Sequence, residues 1–252
     1  MKITVSQSAE QMALEAAKEA AGKLREAVRA RGEARLVLST GASQFAVLEQ
    51  LVRQEAPWSR VEMFHLDEYV GLPKAHKASF RRYLRERFVD LVHPKAAFYV
   101  DGEAEPAEAI RFLTREIRRA PVDVALVGIG ENAHIAFNDP PADFDTREAY
   151  VVVELEERCK RQQVGEGWFP DLNSVPGQAI SMTVYQIMQS RAILSCVPGE
   201  RKAAAVRDTL SSQAPTNAIP ATMLRQHPDW RLFLDPDSAS LTPPSLLKRH
   251  QG

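Results

Sequence analysis

Two spacings of apolar residues alternate along the chain, one suited to helices and the other to buried strands. Met12, Leu14, Ala17, Ala21 and Leu24 share one helical face, with Ser8 or Ser6 placed to cap its start. After Gly32 the run Ala34 to Leu38 reads as a first core strand, and Phe45 to Val52 resumes a helical pattern. Val61 to Leu66 is a second strand. His76 to Arg87 is a charged helix whose inner face is Phe80, Tyr83 and Leu84, continued by Phe88. Ala96 to Val100, Val124 to Val127, Tyr150 to Val153, Ala192 to Val197 and Trp230 to Leu234 complete the expected strands. Helices are expected over Ala107 to Arg119, Glu154 to Gln163 and Ala203 to Leu210, with a helical turn at Ala221 to Gln226. Alternation of this kind predicts an α/β fold, an open, mostly parallel twisted sheet with right-handed crossovers and helices on both faces. Val164 to Gly177 is rich in turn residues and carries Trp168 and Phe169, so it suits either a mobile cover or a packed loop. The segment Ala179 to Met188 is short and mixed, and the tail from Pro243 to Gly252 reads as loosely attached.

The composition narrows the class. At 252 residues, with 44% hydrophobic and 26% charged positions, the chain can bury a sizeable core. A formal net charge of −1 offers no overall field for nucleic acid or an anionic membrane, so an anionic ligand needs a local site. Cys159 and Cys196 form no CxxC pair and the histidines show no ligand spacing, so neither a disulfide framework nor a metal is expected. The first residues, broken throughout by Glu and Lys, do not read as a signal peptide, and no apolar run reaches the roughly eighteen residues of a membrane span. A cytoplasmic protein is the simplest expectation.

Chemistry gathers where strands end, the usual ligand position in open α/β sheets. Ser39-Thr40-Gly41-Ala42-Ser43 stands between a strand and a helix, the plan of an anion cradle, without the Walker lysine or the dinucleotide glycine spacing. Asp67 and Glu68 follow the second strand; in an extended segment one would face a pocket while the other braces the loop, with helix capping by Asp67 as the structural alternative. Gly128 and Gly130 lead into Asn132, His134 and Asp139, a histidine among groups able to orient it. Lys202 at a helix start opposes the macrodipole unless an anion sits nearby.

Leu66-Asp67-Glu68-Tyr69-Val70-Gly71-Leu72, together with Gly128-Ile129-Gly130 and His134-Ile135-Ala136-Phe137-Asn138, resembles the glucosamine-6-phosphate deaminase/isomerase family, which shares a superfamily with the 6-phosphogluconolactonases. The resemblance covers nearly the whole chain. It implies a single modified Rossmann-like, three-layer domain over 1–252 with a lid segment at 154–182, no cofactor, and a small sugar phosphate as partner. It also implies Asp67 as the base at C2 and C1, His134 as the ring-opening group supported by Asn132 and Asp139, and a phosphate site on Thr40, Gly41, Ala42 and Ser43 with Glu68 and Lys202. Asn132 stands where the family has Asp; it can orient the imidazole but brings no charge. Asp139 stands in place of Glu, one methylene shorter, and is expected to reach through water. Ala133 replaces a glycine. The family's lid arginine is unmatched, since the region reads Gly165-Glu166-Gly167-Trp168-Phe169, and Arg158 and Arg161 would have to substitute by a different path. Allosteric segments are absent too, which suggests a monomer or a small homo-oligomer. A sugar-lactone hydrolase is the alternative enzyme, disfavoured by Phe137-Asn138 and Tyr69. A non-catalytic sugar-phosphate sensor is the alternative from another class, kept open by Asn132.

Overall fold

The computed structural model describes residues 1–248. Seven parallel strands form the central sheet: β1 (Lys2–Val5), β2 (Ala34–Leu38), β3 (Val61–His65), β5 (Ala96–Phe98), β6 (Val124–Leu126), β9 (Ala192–Val197) and β10 (Trp230–Leu234), in the order β1-β10-β9-β6-β2-β3-β5. From β2 the chain builds outward through β3 to β5, then returns to β6 on the other side of β2 and builds through β9 to β10. The order therefore reverses between β2 and β6. A second, antiparallel sheet of β4 (Asp67–Tyr69), β8 (Gln178–Met182) and β7 (Tyr150–Glu154) lies beyond the carboxyl end of β3.

Strand alternation divides the interior. Leu36, Leu38, Met63, Leu126 and Leu194 pack on the face covered by α1 (Ala9–Arg31), α2 (Phe45–Val52) and α3 (Phe80–Leu84). Val37, Phe64, Ala125, Val127 and Ile193 face α5 (Pro106–Ile117), α7 (Val184–Met188) and α8 (Ala203–Ser211). Because both faces are covered, the strands carry almost uninterrupted apolar runs. Ser8 caps α1 by accepting from the Gln11 amide at 3.2 Å, and Gly32 ends the helix in the left-handed region at φ 82°. No described helix is long and apolar enough to cross a membrane.

Several local expectations are corrected. Lys2–Val5 is an edge strand paired with β10, too short to stand out from its polar surroundings. Asp67 caps no helix; it opens β4, since the chain crosses from one sheet to the other at Leu66. The helix expected from His76 begins only at Phe80, where Ser79 caps it, and widens into a π turn over Arg85–Val89 before α4 (Asp90–Val92). The mixed segment Ala179 to Met188 is a strand followed by a helical turn. After α6 (Glu157–Gly165) and the short α9 (Pro236–Ala239), the tail forms α10 (Pro244–Lys248), whose Leu246 and Leu247 pack on the core rather than hanging loose. The last four residues of that expectation lie outside the described residues.

Arg35 on β2 and Glu62 on β3 form an ion pair buried in the central sheet. Arg35, 3% exposed, places its guanidinium 4.5 Å from the Phe64 ring centroid, bonds Glu62 at 3.2 Å, and donates to the carbonyls of Ile117, Glu116 and Ala120 at the end of α5. Arg35→Ala leaves Glu62 and three carbonyls without this partner, and a loss of about 3–5 kcal/mol in urea unfolding is expected. Activity per folded molecule should persist, because this cluster lies at the amino ends of the strands, opposite the crevice described next.

Candidate active site

The carboxyl ends of β2, β3, β6 and β9 open onto one crevice beside the strand reversal, the position at which open α/β sheets bind ligands. A cavity there is lined by Ser39, Thr40, Gly41 and Ser43 after β2, by Asp67 after β3, by Gly128, Ile129, Gly130 and His134 after β6, and by Lys202 after β9. Gln162, Gln163 and Glu166 of the α6 segment close it from outside, with Phe80, Ala136 and Phe137 as apolar wall.

The loop after β2 turns at Gly41, with φ 91° and ψ 164°, a conformation that suits glycine and few other residues. A 3₁₀ turn, Ala42–Gln44, then runs into α2, so the first amides of this start have no intrahelical acceptor. Gln44 fixes the loop: its side chain is 2% exposed, sits 3.2 Å from both Ser39 Oγ and Ser43 Oγ, and donates to the Cys196 carbonyl at 3.1 Å. The loop after β9 repeats the plan, with Gly199 at φ 88° and ψ 155° before a 3₁₀ turn, Glu200–Lys202, that leads into α8. Lys202 is 7% exposed, and its ammonium has no hydrogen-bond or ion-pair partner among the described residues. Burial lowers its pKa.

Asp67 and Glu68 point opposite ways. Asp67, 6% exposed, faces the cavity and accepts no hydrogen bond on its carboxylate among the described residues. Burial, with the neighbouring Glu68 charge, pushes its carboxyl up to about 8. Glu68 is not in the cavity, contrary to the expectation that it binds substrate. It is fully buried on the far side, accepting from the Tyr69 and Arg81 amides at 3.0 and 2.9 Å and from Ser79 Oγ at 2.9 Å. It thus holds the Leu72–Ser79 loop. Burial raises its pKa in spite of these bonds.

His134 is held by a strained turn. Ala133 and Ala136 take φ of 64° and 49°, left-handed values that cost an L residue about 1–2 kcal/mol each. Cross-links keep them there: Gly130 N donates to His134 O at 2.9 Å, Ala221 N to Ala133 O at 2.9 Å, and Phe137 N to Ser181 Oγ at 3.0 Å. Asn138 Nδ2 donates to the carbonyls of Ile135 and Met182 at 2.7 and 2.9 Å. Asn132 Oδ1 accepts the His134 amide at 3.2 Å and lies 2.6 Å from Nδ1, while its Nδ2 donates to Asp139 Oδ1 at 2.9 Å. Asp139 Oδ1 is itself 3.1 Å from Nδ1, so it reaches the ring directly and not through water. Burial opposes the Asp139 charge, but the histidine and the asparagine outweigh it and lower its pKa. With two oxygens facing it, Nδ1 carries the hydrogen, which leaves Nε2 as the free position in the neutral ring.

Asp67, His134, Lys202, Thr40, Gly41 and Ser43 thus meet in one cavity. Asn132 and Asp139 stand behind the histidine, and Ala42 and Glu68 lie outside the lining. Arg158 and Arg161 line a neighbouring cleft with Arg201. Trp168 packs edge-on against Phe45 at 6.1 Å, and Phe169 against Tyr69 at 5.4 Å. Gln44, Gln162, Gln163 and Glu166 were not singled out from sequence. The spacing of Cys159, Gln162, Gln163 and Glu166 on one helical stripe is the signal that would have found the last three.

Residues 7–232 match the family model described as glucosamine-6-phosphate isomerases/6-phosphogluconolactonase. The chain belongs to this family. Among relatives, a glucosamine-6-phosphate deaminase of Exiguobacterium sibiricum is 36% identical over 205 residues, 81% of this chain and 79% of the relative. One of Bacillus cytotoxicus is 33% identical over 253 residues, covering 100% of this chain and 93% of the relative. Among solved structures, a monomeric glucosamine-6-phosphate deaminase superposes with TM-score 0.88 at 30% identity, covering 96% of this chain and 100% of the other. A 6-phosphogluconolactonase of Trypanosoma brucei, at TM-score 0.78 and 16% identity over 95% of this chain and 97% of its own, shares the fold.

Two outcomes are expected. A Cβ at position 130 would stand 2.2–2.5 Å from the His134 ring, so Gly130→Ala must displace the imidazole; turnover should fall about a hundredfold or more while circular dichroism stays native. Between about pH 4 and 8 the native Asp67 keeps a proton that the unfolded chain has lost, so this group weakens stability as pH rises through that window. Asp67→Asn should therefore be more stable than the parent at pH 7, by about 2–4 kcal/mol in urea unfolding, and the gap should close towards pH 4.

Proposed function

We propose that the chain isomerises and deaminates an amino-sugar phosphate of the glucosamine 6-phosphate type, giving a ketose phosphate and ammonia. The observation that carries this is the pairing of Asp67, with its carboxyl pushed up to about 8, and His134, with Nε2 free, in one cavity at the carboxyl end of the sheet. The names of the relatives support it.

Nε2 of His134 takes the proton from the anomeric hydroxyl and returns it to the ring oxygen, which opens the pyranose. Asn132 and Asp139 hold the Nδ1 hydrogen throughout, and the Asp139 carboxylate supplies the charge that stabilises the imidazolium while the proton is carried. Asp67 then removes the proton from C2, giving an enolamine, and delivers it to C1. The resulting C2 imine adds water and releases ammonia. A carboxylate that is desolvated and unpaired is a stronger base than one in water, and a pKa near the working pH suits both halves of this transfer. The amides that follow Gly41, with Thr40, Ser43 and Lys202, hold the distal oxyanion. Of the expected lid 154–182, residues 155–177 serve as the lid, with Gln162, Gln163 and Glu166 on its inner side, whereas Glu154 ends β7 and Gln178–Met182 is β8, the middle strand of the second sheet. The lactonase reading draws on the joint family description and on solved structures that share the fold at 16–21% identity, and it leaves the base at Asp67 without a task.

The test is ammonia release from glucosamine 6-phosphate, run beside proton exchange at C2 in deuterated water. Both should occur in the parent chain, and kcat/KM should climb with pH to an apparent pKa near 8 as Asp67 loses its proton. Asp67→Asn should lose turnover by about a thousandfold or more while retaining ligand affinity. Normal turnover by that variant would remove Asp67 from the mechanism, and absence of both ammonia and exchange in the parent would remove the activity.

A further inference from the structure

The side-chain amide of Gln44 lies beneath the cavity, between the carboxyl ends of β2, β6 and β9. Gln44 is 2% exposed, and a Cβ at Gly128 would stand 3.1 Å from its Nε2, so the amide packs against the loop after β6 as well. One neighbour decides which way the amide is turned. The Cys196 carbonyl, 3.1 Å away, can only accept, so the nitrogen faces it and the oxygen lies on the other side. The remaining contacts follow from that choice. Nε2 directs its second hydrogen to Ser43 Oγ at 3.2 Å, and Oε1 accepts the hydrogen of Ser39 Oγ at 3.2 Å.

A serine hydroxyl has one hydrogen to give and lone pairs with which to accept. Ser43 Oγ already accepts from Gln44, and its own hydrogen has no acceptor among the described residues, so it is free for the cavity that Ser43 lines. Ser39, also in the lining, is the reverse: its hydrogen is engaged by Gln44, and only lone pairs remain for the cavity. A single buried amide therefore gives two nearby serines opposite polarity. We infer that Gln44 is a positioning residue that makes Ser43 a hydrogen-bond donor to the distal phosphate of the substrate and Ser39 an acceptor for a hydroxyl group of the sugar. A phosphate monoester dianion, the form present above its second pKa near 6, has no hydrogen to offer Ser39, whereas a sugar hydroxyl has one. The two serines thus recognise different parts of one molecule. The inference rests on the sugar-phosphate chemistry proposed at Asp67 and His134 and adds the residue that sets how its two kinds of polar group are told apart.

The experiment uses methyl phosphate at pH 8, a dianion that can only accept, beside glucosamine 6-phosphate, which carries hydroxyl groups as well. Equilibrium binding of methyl phosphate, and KM and kcat for glucosamine 6-phosphate, are measured for the parent chain, Ser39→Ala, Ser43→Ala, Gln44→Met and the double variant Ser43→Ala/Gln44→Met. Ser43→Ala should weaken methyl phosphate by about tenfold or more, and Ser39→Ala by less than about twofold. Both should raise the KM for glucosamine 6-phosphate, Ser39→Ala by about fivefold, with kcat changed far less. Gln44→Met, which keeps the length of the side chain and removes its amide, should weaken methyl phosphate by about fivefold in the parent and by less than about twofold when Ser43 is already Ala. The inference is overturned if Ser39→Ala weakens methyl phosphate as much as Ser43→Ala does, since Ser39 would then be a donor. It is also overturned if the effects of Gln44→Met and Ser43→Ala multiply, as a purely structural role for the amide would have them do. Should Gln44→Met fail to fold, the two serine variants still decide the polarity. If no protein turns over the amino sugar, the isomerase reading falls, and methyl phosphate binding alone still supports or overturns the role of Gln44.

Discussion

An unpaired carboxyl group held out of water is the constraint on which the rest of this site depends. Burial and the neighbouring Glu68 charge push the Asp67 carboxyl up to about 8, and that burial needs walls. The walls come from the second sheet and the aromatic cluster of Tyr69, Phe80, Phe137 and Phe169, whose ring centroids lie 5.1–5.9 Å apart in the contacting pairs. Glu68 shows the same economy, since its own buried charge is met by the Ser79 hydroxyl, two amides and the Arg81 guanidinium at 3.6 Å, so it shapes the loop above Asp67 while adding to the field that raises the Asp67 pKa.

The histidine turn is built on the opposite principle. There the backbone is strained at Ala133 and Ala136, and neighbouring elements over-determine it through Ser181, Asn138 and Ala221. Ser181 lies on β8 directly opposite Asp67 in the ladder, so Asp67 and the turn that carries His134 are registered to each other through one residue pair. Asp139 within 3.1 Å of Nδ1 also answers the question raised by Asn132: the negative charge beside the imidazole is present, supplied from seven residues further along.

The two loops that would hold an oxyanion, after β2 and after β9, share a glycine near φ 90°, a 3₁₀ turn and a helix start. The second of them adds Lys202, the buried ammonium that lines the same cavity.

Much of this was legible in the sequence because the periodicities are strong. The core strands β2, β3, β6, β9 and β10 and the helices α1, α2, α5 and α8 announce themselves by spacing, since a strand buried on both faces or a helix buried along one stripe has little freedom in residue type. The motifs around Gly41, Asp67 and His134 were visible for a similar reason: glycine turns and paired polar groups at strand ends have few structural uses. What the sequence could not decide was which polar residue faces which way. Glu68 and Asp67 differ by a single position along a strand, and only the ladder of β4 with β8 turns one to the cavity and the other to the interior. Likewise, nothing local brings Gln162, Gln163 and Glu166 into the same cavity as Lys202, because that meeting arises from the packing of α6 over strand ends far away in the chain. Spacing along the chain settled the elements and the residues able to do chemistry. Tertiary packing, by choosing which of them lose water and which charges they face, decided what that chemistry is.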